Sequence, residues 1–205
     1  SLLSLLKVKG LATSLSAYCG SETKDYGSFS ISIDLTDRGL SEYKKVIEYL
    51  FSYIDMLKDN ADMRYFFEEK KTLAALSYVY SDKGEGASSA IEYANNLSNY
   101  PSKISGKVKY YYEEYNQESI IKILSYLAPD NMLCILSAKG LEYDQIEPWY
   151  GTQFSYQESN NSYYKNLFNV KAMDELFLPP KNNFVPNDIS ILKDNSDSLP
   201  YEIYN

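Results

Sequence analysis

Between residues 26 and 35 the chain alternates strictly, with Phe29, Ile31 and Ile33 set against Ser28, Ser30, Ser32 and Asp34. A period of two places every apolar side chain on one face and every hydroxyl on the other. Such a segment is a strand with one face on a core and one in water, the habit of an antiparallel sheet. The preceding segment, Leu11 to Cys19, reads as its neighbour, with Leu11, Thr13, Leu15 and Ala17 on one face. Residues 20–25 (Gly-Ser-Glu-Thr-Lys-Asp) supply the turn between them.

The period then changes. Thr36 is placed to cap a helix, with Asp37 near the positive end of its dipole. Leu40, Tyr43, Ile47, Leu50, Ile54 and Leu57 recur at steps of three and four, marking one face of a helix through about Lys58. Asp62 can cap a second helix with Phe66, Leu73, Leu76 and Tyr80 on its buried side. A third runs from about Ala87 to Leu97 and must end before Tyr100-Pro101. Asn116 can cap a fourth, whose apolar residues include Ile120, Ile123 and Leu124 and which stops at Ala128-Pro129. Met132–Ala138 and Tyr150–Tyr156 read as two further strands. Strands, then helices, then strands indicate an α+β fold, an antiparallel sheet with helices packed on one face, rather than a doubly wound βαβ array. The expected packing puts Phe29, Ile31 and Ile33 on the buried sheet face, under Ile47, Leu50 and Leu73.

Composition restricts the chemistry more sharply than the fold. The 205 residues include no histidine. A Ser-His-Asp or Cys-His nucleophile system and a two-histidine zinc site are therefore excluded within this chain. Asp34, Asp37, Glu113 and Glu114 show no metal-ligand spacing, and Glu68-Glu69-Lys70-Lys71 reads as a solvated helix face. Gly84-Glu85-Gly86 is too short for a phosphate loop. The expected catalytic set is empty, and so is the metal set. A net charge of −8 argues against a nucleic-acid partner, and no apolar run approaches a membrane span. Cys19 and Cys134 fall in segments read as strands and are expected to be buried thiols. The 22 tyrosines accompany 18 lysines and only 2 arginines, the bias an A/T-rich coding sequence produces.

The ends read as parts of something longer. Leucines at 2, 3, 5 and 6, then Val8 and Gly10, look like the last turns of a helix whose start lies upstream. Residues 193–205 are polar, broken by Pro200, and read as linker.

Several longer patterns carry a family resemblance. Ser1-Leu2-Leu3 with Leu6 and Lys9-Gly10, Asp34-Leu35-Thr36 with Gly39-Leu40, and Tyr100-Pro101 lie in order along the chain. So do Trp149-Tyr150-Gly151-Thr152-Gln153 and Leu178-Pro179 with Lys181-Asn182, Phe184 and Pro186-Asn187. In this the chain resembles the insulinase (pitrilysin-like) zinc metallopeptidases, specifically the second domain of their amino-terminal half. The resemblance implies a non-catalytic domain over 1–192, lacking its first strand and most of its first helix, and a linker over 193–205. It implies zinc in the parent protein on an inverted His-x-x-Glu-His motif outside this chain, with none bound here. The implied partners are peptide substrates and the remaining domains of the parent enzyme. It also implies an exosite: Leu15, Ser16, Ala17, Tyr18 and Cys19 match the strand whose edge holds the amino-terminal end of a peptide. Small glycines are usual in the family where this chain has Ala17 and Tyr18. The alternative implied by the same resemblance is a catalytically inactive family member acting as a peptide-holding or assembly subunit.

Overall fold

The computed structural model describes residues 1–23, 25–60, 62–82, 84–158, 162–186, 188 and 190, so the linker expected over 193–205 lies outside the described residues. The chain divides into two compact units, the first made of residues 1–63 and 116–180, the second of 64–115 and 181–205.

The first unit begins with helix α1, Leu2–Val8, whose Leu2 and Leu6 are buried. Gly10 ends it in the left-handed region at φ 68°, a conformation that costs glycine little. Strands β1, Ala12–Glu22, and β2, Gly27–Leu35, form an antiparallel hairpin. Thr23 closes it, its N–H donating to the Tyr26 carbonyl at 2.9 Å while its hydroxyl accepts from the N–H of Asp25 and Tyr26. β1 thus runs past the expected end at Cys19.

At the other end of the hairpin Thr36 ties three segments together. Its N–H donates to Leu11 O at 3.1 Å, its hydroxyl donates to Gly10 O at 2.7 Å, and the same hydroxyl accepts from Gly39 N at 2.9 Å. It is the expected N-cap of α2, Asp37–Ser41. A Cβ at Gly39 would overlap the Leu11 carbonyl oxygen, so a glycine lets α2 approach this backbone.

The helix expected to run unbroken from 37 to 58 breaks at Glu42, which leaves the helical region with φ −113° and ψ 25°. Glu42 accepts from Arg38 Nε at 2.9 Å and Lys45 Nζ at 2.6 Å. Helix α3 follows as Tyr43–Asp59. It buries Val46, Ile47, Phe51, Ile54 and Met56, a wider arc than one stripe. The cause is that it serves two apolar clusters, one with Leu6 and Leu11, the other with Leu167. Between them Ser52, fully buried, donates to the Lys171 carbonyl at 2.8 Å.

In the second unit are α4, Arg64–Val79, α5, Gly86–Leu97, and the short α6, Ser102–Ser105. Neither α4 nor α5 has a fully buried residue. Phe66, Leu73 and Leu76 are half-buried and Tyr80 is exposed, so the expected buried side of α4 is only partly covered.

Back in the first unit, Asn116 caps α7, Gln117–Tyr126, accepting from Ser119 N at 2.9 Å, as its sequence position predicts. The two later strands are corrections. Met132–Ala138 makes no strand pairing among the described residues, and Leu133 and Ile135 are 80% and 81% exposed. An apolar run becomes a strand only where a second edge accepts its hydrogen bonds. Of Tyr150–Tyr156, only Gln153–Phe154 is a strand, β4, paired with β3, Gln145–Ile146. Helix α8, Ser162–Leu167, completes the unit and was not legible in the sequence.

Candidate functional site

All five residues of the implied exosite lie consecutively on β1, paired residue by residue with β2: Leu15 to Ile33, Ser16 to Ser32, Ala17 to Ile31, Tyr18 to Ser30 and Cys19 to Phe29. The hairpin is a two-stranded sheet, so among the described residues the outer edge of β1 pairs with no other strand. Of any two consecutive residues in a strand, one directs its N–H and C=O to the neighbour and the next directs them away. The outer edge therefore presents a donor and an acceptor at every second residue. Leu15 to Cys19 includes no proline and no charged side chain, two of the devices that block an edge.

The alternation expected from Leu11 onward slips at the start of β1. The register shifts between Ala12 and Ser14, and Leu11 and Ala12 are both buried. Thr13 is the extra residue of this bulge, exposed, with its hydroxyl on the Asp34 carbonyl at 3.3 Å. From Ser14 to Cys19 the pleat is regular, and the register shifts again between Cys19 and Glu22. Leu15 and Ala17 share a face with Phe29 and Ile31, while Ser14, Ser16 and Tyr18 share the other with Ser30, Ser32 and Asp34, whose carboxylate accepts from the Ser14 hydroxyl.

The first of these faces borders an apolar cavity of about 300 Å³, walled by the sheet, by Leu50 and Ile54 of α3, and by Ile120 and Leu124 of α7. Helices do cover this face, as expected, but not to closure. Ile31 and Ile33 are half-buried and Phe29 is 46% exposed, so the expectation that all three are buried fails at the outer end of the strand. Leu50 stands on the same cavity, whereas Ile47 belongs to the cluster around Leu167 and Leu73 to the other unit. The sequence has no signal for the cavity, because its walls come from elements far apart in the chain.

Of the five strand residues, Leu15 is half-buried and Ser16, Ala17, Tyr18 and Cys19 are exposed. Cys19 and Cys134 are both free and exposed, against the expectation of buried thiols. Cys19 lies beyond the part of β1 that the helices cover, and Cys134 lies in the unpaired segment.

The sequence has no histidine, and no three of its Cys, Asp and Glu side chains converge among the described residues. No helix of the described residues is long and apolar enough to cross a membrane. What the arrangement can do is bind an extended backbone.

The block around Trp149 forms a tight turn between β3 and β4. Gly151, at φ 68°, donates to Glu147 O at 2.9 Å, and Glu147 N donates to Thr152 O at 2.8 Å. The Glu147 carboxylate accepts from Trp149 N at 2.6 Å and Tyr150 N at 2.7 Å. Both rings point outward, 87% and 93% exposed.

Two family models match this chain: "Peptidase M16 inactive domain" over residues 1–73 and "Middle or third domain of peptidase_M16" over residues 78–205. The junction between them falls within α4. An insulin-degrading enzyme-like 1, peroxisomal, of Arabidopsis thaliana is 32% identical over 199 residues, covering 96% of this chain and 20% of that protein. The insulin-degrading enzyme of Homo sapiens is 30% identical over 203 residues, covering 98% and 20%. The chain thus spans about a fifth of the length of these relatives. The crystal structure of pitrilysin superposes with a TM-score of 0.80 at 19% identity, over 96% of this chain and 21% of that one; at that identity the likeness speaks for the fold.

Proposed function

The chain belongs to the peptidase M16 family, and from that premise we propose that it is the exosite-bearing, non-catalytic domain of a zinc metalloendopeptidase that degrades peptides. A peptide would add itself as a strand to the outer edge of β1, along Leu15, Ser16, Ala17, Tyr18 and Cys19. Backbone N–H and C=O groups make such contacts, so affinity demands little of the peptide's sequence. The observation that carries the reading is the uncharged, proline-free edge of β1, unpaired among the described residues, on the strand that the family resemblance marks.

Ala17 and Tyr18 stand where glycines are usual, and the pleat decides whether they obstruct. Their side chains project from the two faces of the sheet, not along its plane. A Cβ at either position leaves the edge groups open. Zinc, held by the parent's other residues, would supply a Lewis acid and an activated water at the scissile bond. The part of this chain is to hold one end of the peptide so that its remainder reaches that centre.

Proline at Ser16 and at Ala17, made separately in the full-length protein, tests this. One of the two residues points its N–H outward. Its proline variant should weaken long substrates by about 1–3 kcal/mol, read as a rise in KM, with short substrates unchanged. The other variant breaks a bond to β2 and should lower the melting temperature. Equal losses on long and short substrates, or no loss on either, would refute the exosite.

A further inference from the structure

The wet face of the β1–β2 hairpin carries one large side chain beside the open edge. Ser16 and Tyr18 stand on it from β1, facing Ser32 and Ser30 of β2. The next β1 residue on that face is Gly20. Tyr18 is 54% exposed, and the serines around it are too short to cover its ring. The opposite face differs, because Leu15 and Ala17 turn toward the apolar cavity.

A peptide on the outer edge of β1 would continue the pleat, and every second side chain of the peptide would rise on the Tyr18 side. In an antiparallel pairing, the peptide residue opposite Tyr18 has its Cβ about 5 Å from the Cβ of Tyr18. The peptide residues two places to either side meet a serine and a glycine. An edge flanked by small polar residues specifies register weakly, and a single aromatic can supply what the backbone does not.

We propose that Tyr18 is the specificity-determining residue of the β1 edge, selecting peptides with an aromatic or branched aliphatic side chain at the one position opposite it and so fixing their register. The inference rests on the edge-binding reading above. It predicts a peptide range that is broad at most positions and selective at one.

The probe is a series of alanine–serine peptides with free amino termini and a fluorophore at the carboxyl end. A single phenylalanine is moved stepwise inward from the first residue. Anisotropy titrations use the full-length protein with its zinc chelated, so that no peptide is cut. One position should bind about three- to fivefold more tightly than its neighbours. Tyr18→Ser should erase that preference, and Tyr18→Phe should retain it. Binding with no positional preference, or a preference unchanged in Tyr18→Ser, overturns the role of Tyr18 and leaves edge binding standing. Peptide binding indifferent to proline at both Ser16 and Ala17 overturns edge binding itself, and this inference with it.

Discussion

The Thr36 hydroxyl donates to Gly10 O and accepts from Gly39 N, so one oxygen joins the end of α1, the start of α2 and the base of the hairpin. Thr36→Val keeps the shape and removes both bonds. It should cost about 1–2 kcal/mol in chemical denaturation. Gly39→Ala should cost about 1–3 kcal/mol, because the new methyl meets the Leu11 carbonyl and the backbone must shift. Tyr163 gives a pH signature. Its hydroxyl donates to Lys44 O at 2.7 Å, and burial, then the Glu48 carboxylate, hold its phenol well above the ordinary tyrosine value. The folded chain therefore keeps this proton after the unfolded chain releases it. The contribution is complete below about pH 10, the unfolded value, and fades as pH rises beyond it. Tyr163→Phe should lose about 0.5–1.5 kcal/mol at neutral pH and then lose less between pH 9 and 11 than the parent chain does, which denaturation at the two pH values measures.

At the scale of elements, how much was legible depended on how local the cause is. The caps at Thr36 and Asn116, the stop at Gly10 and the pleat of β2 each follow from a few adjacent residues, and each stands where its sequence puts it. Met132–Ala138 shows the opposite case. Its composition is that of a strand, but pairing needs an edge that no local pattern announces. The bulge at Thr13 is similar, since the slip appears only when β1 is set against β2. In helix α8 Tyr163 and Tyr164 are indistinguishable in sequence from the chain's general tyrosine bias, whereas in the fold their ring centroids lie 5.2 Å apart and the Tyr163 hydroxyl reaches α3. The uneven closure of the core makes a quantitative contrast. Leu6, fully buried, should cost about 2–5 kcal/mol on truncation to Ala. Ile31, half-buried on the open cavity, should cost less, about 1–2 kcal/mol. Equal losses at the two sites would mean that the cavity is closed in solution.

For the molecule as a whole, the sequence has no histidine, which excludes histidine-based catalysis within this chain, and the chain belongs to the peptidase M16 family. The five residues of the candidate site were legible only through the resemblance, because a strand edge has no composition of its own. Their openness was legible only in the structure. The central claim, that a peptide pairs with the outer edge of β1, is tested most directly by hydrogen exchange of the full-length protein with and without a saturating long peptide, its zinc chelated. The account predicts that the peptide slows the outward-facing amides among Leu15 to Cys19, every second residue, while the amides bonded to β2 stay as they were. Protection that appears on the far edge of β2, or nowhere on the hairpin, would contradict it.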